Sequence, residues 1–147
     1  EYYDEQHGDI DILVKNIEQT VYVTNAVKVY KDKFRVHYKI KVAEKNIFFD
    51  FRYVGDNYFD EKWQIDILKK RIICDKGFYR PNNEDYFYSL VYHSLIHKKQ
   101  ISDDYPKKIE QIYKMLPIYD DKGCNFSNYL NLLEKFFLGH QLMTCYL

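Results

Sequence analysis

Glycine and proline are scarce in this 147-residue chain, at five and three residues, and alanine occurs only at Ala26 and Ala43. So few breakers leave little room for long linkers, and they point to short loops in one folded unit. Cysteine is sparse too. Cys74, Cys124 and Cys145 form no CxxC pair, and an odd, scattered set reads as reduced thiols in a cytoplasmic protein. Excess charge of either sign is missing: 22 Lys and Arg balance 22 Asp and Glu. That balance argues against a protein that coats nucleic acid or an anionic membrane, since such partners usually leave a basic surplus. No apolar run approaches the roughly 20 residues a membrane helix needs. The start, Glu1-Tyr2-Tyr3-Asp4-Glu5, is no signal peptide, and it lacks an initiator Met, as a fragment of a longer chain would. GxSxG, P-loop and GxGxxG patterns are absent, which counts against a serine hydrolase, a P-loop kinase and a dinucleotide oxidoreductase.

What the chain has in quantity is aromatic residues: 16 Tyr, 10 Phe and 1 Trp, or 18% of the total. Lys (18) and Ile (14) are also abundant. Together with two alanines, that is the pattern of an AT-rich coding sequence, in which Tyr stands in for Leu or Phe in the core. Tyr53, Tyr58, Tyr86, Tyr88 and Tyr92 lie near the candidate site residues below, so these five are where a nucleobase or sugar contact is sought.

The length suits a single domain over 1–147. The first part reads as strand-rich, from about residue 9 to 80, and the remainder as helical, from about 81 to 147. Ile10 to Val14 forms a short apolar strand, and Ala26 to Tyr30 has β-branched character. Phe34, Val36, Tyr38, Ile40 and Val42 alternate onto one face of another strand. Lys45-Asn46 reads as a turn before a mostly apolar strand from Ile47 to Val54. Phe59, Trp63 and Ile67 then mark an amphipathic helix capped by Asp56 or Asn57, with Lys70-Arg71 at its end. A short strand and a turn at Lys76-Gly77 follow. Asn83, Ser102 and Ser127 are the expected caps of three further helices. The first of these carries Phe87, Leu90, Val91, Ser94 and Leu95 inward, the second takes Pro106 in its first turn, and the third stops before Gly139. Strands first and helices after define an α+β chain, with a mixed sheet carrying the carboxylates and helices dominating the C-terminal half.

The segment richest in chemistry is His7-Gly8-Asp9-Ile10-Asp11-Ile12-Leu13-Val14. Two acids one residue apart on a strand point to the same face. Their repulsion is relieved best by a divalent cation, and Mg²⁺ prefers hard carboxylate and phosphate oxygens. Gly8 lets backbone or ligand approach closely. The plainer reading leaves both acids in water on an edge strand. A third acid, Asp50, sits in the apolar stretch Ile47 to Tyr53, where an unpartnered carboxylate is costly to bury. Asp50 either pairs with Arg52 on its own face, or lies beside the Asp9/Asp11 strand and completes a metal-binding triad. In the second case Arg52 offsets charge on a phosphate.

A strand with alternating acids and a neighbouring strand carrying one more resembles the nucleotidyltransferase fold of the polymerase-beta type. More narrowly, "HGDIDILV", "FFDFRYVGDNYFDEKW" and "EDYFYSLVYHSLIHKKQISDDY", spanning roughly residues 7 to 105, look like a branch encoded near surface-polysaccharide genes. The resemblance implies that Asp9, Asp11 and Asp50 are catalytic and hold Mg²⁺ or Mn²⁺. It also implies a nucleotide or other phosphorylated donor, and a small sugar or polyol as acceptor. One departure stands out. The fold usually places a Gly-Ser or Gly-Gly turn shortly before the first acid, and Glu1 to Gly8 contain none. Truncation, a different way of holding phosphate, or loss of activity would each account for it.

The second constellation is His93 and His97, four apart in a predicted helix, followed by Lys98 and Lys99. The spacing suits zinc, but Ser94 stands where an HExxH motif needs Glu. Phosphate contact by His93, His97 and Lys98 near a helix C-terminus is the functional reading, and a packed histidine with solvated lysines is the plainer one. The leading expectation is therefore a Mg²⁺-dependent nucleotidyl- or phosphoryl-transferase with Gly8, Arg52, His93, His97 and Lys98 around the phosphates. A small DxD glycosyltransferase and an inactive binding module of this fold are the alternatives. Nucleic acid is an unexpected partner for so neutral a chain.

Overall fold

The computed structural model describes residues 10–30, 36–98, 100–101, 104–117 and 126–143. The architecture is α+β, with strands in the N-terminal half and helices in the C-terminal half. The chain divides into two units, Glu1–Leu68 and Lys69–Leu147.

The first unit holds β1 (Ile10–Val14), α1 (Ile17–Thr24), β2 (Val27–Tyr30), β3 (Val36–Val42), β4 (Lys45–Tyr53) and most of α2 (Glu61–Lys70). Its sheet runs β1-β4-β3-β2. β1 lies parallel to β4, while β2, β3 and β4 pair antiparallel in sequence order. One face is apolar: Tyr38 packs on Phe51 with ring centroids 5.2 Å apart, and Phe49 stacks on Phe51 at 5.5 Å. Alternation puts Ile10 and Ile12 on this same face, because they are the register partners of Phe49 and Phe51.

The structure corrects two local expectations in this unit and adds a helix. The hairpin turn falls at Ala43-Glu44, not Lys45-Asn46. Ala43 takes a left-handed φ of 52°, and Val42 pairs with Lys45 and Lys41 with Asn46, so β4 starts at Lys45. Helix α1 was not foreseen. Its β-branched Thr20, Val21, Val23 and Thr24 mimic a strand, but the caps at both ends decide the matter. Asn16 Oδ1 accepts from Gln19 N (2.8 Å), and Asn25 closes the helix at φ 53°. Finally, α2 is capped by Asp60, whose Oδ1 accepts from Trp63 N (3.2 Å), because Asp56 is committed to the preceding turn. Trp63 and Ile67 are buried as their spacing requires.

The second unit opens with a small antiparallel hairpin of β5 (Ile72–Ile73) and β6 (Tyr79–Arg80). Gly77 takes φ 83° in the turn and donates to Cys74 O (3.0 Å), as a glycine there permits. α3 (Asn83–Tyr92) is capped by Asn82, one residue earlier than expected. Asp85 N donates to Asn82 Oδ1 (3.0 Å), and Asn82 Nδ2 donates back to Asp85 Oδ2 (2.7 Å). A five-residue π turn, His93–His97, continues it. α4 (Asp104–Tyr113) carries Pro106 in its first turn, and its expected cap, Ser102, lies outside the described residues. α5 (Phe126–His140) runs through Gly139 instead of stopping before it. It ends where Gln141 turns left-handed at φ 53°, with Gln141 N and Leu142 N donating to Leu138 O and Phe137 O.

Aromatic rings dominate this unit's interior. Tyr88 stacks on Phe136 at 3.8 Å, Phe87 lies 5.5 Å from Tyr113, and Tyr92 stacks on Phe137 at 5.7 Å. Phe87, Val91 and Ser94 are buried as expected, whereas Leu90 and Leu95 are half-buried. Tyr88 and Tyr92, two of the five tyrosines considered for ligand contact, are instead core residues. Among the described residues no helix is long and apolar enough to cross a membrane.

Candidate functional site

Parallel pairing of β1 with β4 makes Asp11 the register partner of Asp50. Partners on adjacent strands share a face and sit about 4.8 Å apart at Cα. Two acids 39 positions apart in sequence are thereby side by side on the face opposite the packed rings. Asp11 is exposed, and the Asp50 side chain is 16% exposed. Gly8 and Asp9 lie outside the described residues. Lys39, the partner of Phe48 on β3, shares this face by the same alternation.

Arg52, two residues beyond Asp50, shares its face as well. Its Nη2 lies 3.4 Å from Asp50 Oδ2, its Nη1 lies 3.9 Å from Asp56 Oδ2, and its guanidinium carbon sits 3.9 Å from the centre of the Tyr58 ring. The pairing of Asp50 with Arg52 that the sequence offered as the plainer account is therefore present. Asp56 is itself held on several sides. Its oxygens accept from Tyr53 N (3.3 Å), Tyr58 N (2.9 Å) and Gln64 Nε2 (2.6 Å). Gln64 is fully buried, and its Oε1 accepts from Gly55 N (2.8 Å). A continuous chain of polar contacts thus runs from Asp50 through Arg52 and Asp56 to a buried amide on α2. Buried polar groups require such partners, and their combined effect is to hold the guanidinium in one place.

Sequence reasoning missed Lys39, Asp56 and Gln64 as members of this group. The sequence offers Asp56 or Asn57 as a helix cap instead. The available signal was Gln64, a polar residue set between Trp63 and Ile67 on the buried side of α2, where an amide needs partners.

The carboxylate oxygens of Asp11 and Asp50 are hard donors of the kind Mg²⁺ and Mn²⁺ accept, and their shared face fits a divalent cation in chemistry. Among the described residues no group of three or more His, Cys, Asp or Glu side chains is placed to hold a metal ion.

In the second unit, His93, His97 and Lys98 surround the π turn. Lys98 N donates to His93 O at 3.2 Å, closing the wider ring. The two imidazole centroids are 5.7 Å apart. His97 meets Tyr92 edge-on at 5.3 Å, His93 lies 6.0 Å from Tyr105, and Lys98 Nζ sits 3.9 Å from the Tyr105 ring centre. All three candidate phosphate contacts are thus engaged with tyrosine rings. Comparison of the chain with family models, with curated proteins and with solved structures finds no match. The functional reading therefore rests on residues and geometry.

Proposed function

We propose that this chain is a metal-dependent nucleotidyl- or phosphoryl-transferase whose site is the polar face of the sheet. The observation that carries the reading is the register of β1 on β4, which sets Asp11 beside Asp50. Asp11 and Asp50, with Asp9, would hold Mg²⁺ or Mn²⁺. A divalent ion there supplies charge neutralisation for the phosphate oxygens of a nucleotide or related donor. Arg52 meets a phosphate from a fixed position, since Asp50, Asp56 and Tyr58 restrain its head group. Lys39 adds a second cation on the same face. Asp50, as metal ligand or general base, would take the proton from the hydroxyl of a small acceptor, a sugar or polyol, whose oxygen then bonds to the donor phosphorus as the rest of the donor leaves.

Mn²⁺ titration followed by electron paramagnetic resonance tests the metal step. The Asp11→Asn variant is expected to lose at least about tenfold in Mn²⁺ affinity, since even the groups that only orient a metal ligand carry effects of that size. Its melting temperature should hold, because Asp11 is exposed. Equal Mn²⁺ binding by wild type and variant would sink the proposal.

The contact between Arg52 and Asp50 favours a second reading, a non-catalytic binding module in which Asp50 serves the fold. No heat of binding for Mg²⁺-nucleotide to the wild-type chain, with Asp50→Asn losing stability, would select it.

A further inference from the structure

The β5–β6 hairpin concentrates charge and exposed rings to a degree that the chain's overall neutrality hides. Residues 69–80 hold five basic side chains, Lys69, Lys70, Arg71, Lys76 and Arg80, against one acid, Asp75. All of these except Arg80, which is half-buried, are exposed. Asp66, one turn earlier on α2, is the nearest further acid in sequence on that side. Interleaved with the cations are large apolar groups that a folded chain would ordinarily cover. Ile73 is 63% exposed, Phe78 54% and Tyr79 60%. Ile73 and Tyr79 are register partners, so they share one face of the hairpin. The Arg71 guanidinium lies over the Tyr79 ring at 4.6 Å, which adds a cation to that same face.

We infer that this hairpin is a docking element for single-stranded nucleic acid. Such strands alternate a phosphate with a flat apolar base, and proteins that bind them without sequence preference combine cationic grooves with exposed rings for stacking. An acidic protein segment would match the positive charge of the hairpin but gives the exposed Tyr79 and Phe78 rings nothing flat to stack on. A duplex hides its base faces, so the rings also favour a single strand over a double one. This surface is separate in sequence from the carboxylate face, and the inference does not depend on the proposed transferase activity.

The test is fluorescence anisotropy of the whole chain with labelled oligo(dT) and oligo(U), and with a duplex of equal length. Binding is expected at low salt, weakening as salt rises with a log–log slope of about −2 to −4, the signature of several phosphate contacts. Tyr79→Ala and Phe78→Ala should each weaken single-strand binding by about tenfold, and Tyr79→Phe should restore it. These positions are exposed, and circular dichroism checks that each variant folds. Three results would overturn the inference: no binding at low salt, equal affinity for duplex, or binding indifferent to both ring deletions. The last would mark a simple polyanion contact.

Discussion

The sheet of the first unit and the helices of the second use their side chains in opposite ways. Among the strand residues of the sheet whose side chains are described, Phe51 alone is buried. The helices of the second unit bury Phe87, Tyr92, Tyr129, Phe136 and Phe137, among others, and stack them ring on ring. Order on the polar face of the sheet comes instead from directed contacts, Arg52 to two carboxylates and Gln64 to Asp56 and Gly55. Apolar burial stabilises a fold in proportion to area, whereas exchanging water for a protein partner contributes little net. A sheet face that keeps two adjacent acids is therefore poorly explained by stability alone. Those adjacent acids are what the proposed metal site would use, while the aromatic interior of the second unit is accounted for by burial.

That contrast can be broken by measurement. Phe87→Ala should be the most damaging change, costing about 3–5 kcal/mol in denaturant unfolding, as a large ring removed from a closed core usually does. A loss below about 1 kcal/mol would mean that the second unit is not the well-packed region its rings imply. Gln64→Ala should cost about 1–3 kcal/mol by leaving Asp56 and the Gly55 amide short of partners. If the polar chain serves Arg52 as described, the same variant should also weaken phosphate binding, read by calorimetry with Mg²⁺-nucleotide. Glu110→Gln on α4 breaks a 2.9 Å pair with Lys114 that is half in water. It should shift stability by no more than about 0.5 kcal/mol, since exposed pairs contribute little. A larger effect would show that surface charge matters more in the helical unit than its core suggests.

Much of this was legible in the sequence wherever one strong period governed a segment. β1 occupies Ile10–Val14 as the pattern required, and the alternation from Phe34 to Val42 gave β3, described over Val36–Val42, with Phe34 outside the described residues. Buried Trp63 and Ile67, and Phe87 and Val91, sit where helical spacing placed them. Failures came where tertiary or capping choices outweighed composition. No element was assigned to Ile17–Thr24, whose β-branched residues conceal a helix that Asn16 and Asn25 close at both ends. Gly139 was read as a stop, yet the left-handed position fell to Gln141 two residues on. For the candidate site, sequence could place Asp11 and Asp50 on strands with known facing, but only the register makes them neighbours. The supporting contacts of Asp56 and Gln64 were hidden because they link a loop to a helix, a relation no local period encodes.

Odd and even numbering on β1 and β4 carries one more consequence, for how this chain tolerates changes of length. Side chains on a strand alternate with a period of two, so one residue added before Asp50 within β4, or before Asp11 within β1, shifts every later side chain by one step relative to its neighbour. The displaced carboxylate would then stand on the packed side, in the place of Phe51 if it is Asp50 or of Ile12 if it is Asp11. Flexible connections outside the tight hairpin turns obey no such parity, and doubling the length of one costs only about 0.6 kcal/mol in closure entropy. Single-residue insertions scanned along the chain should therefore leave a map of two textures. The longer connections would accept insertions, while the two acid-bearing strands and the tight Ala43-Glu44 turn would accept almost none.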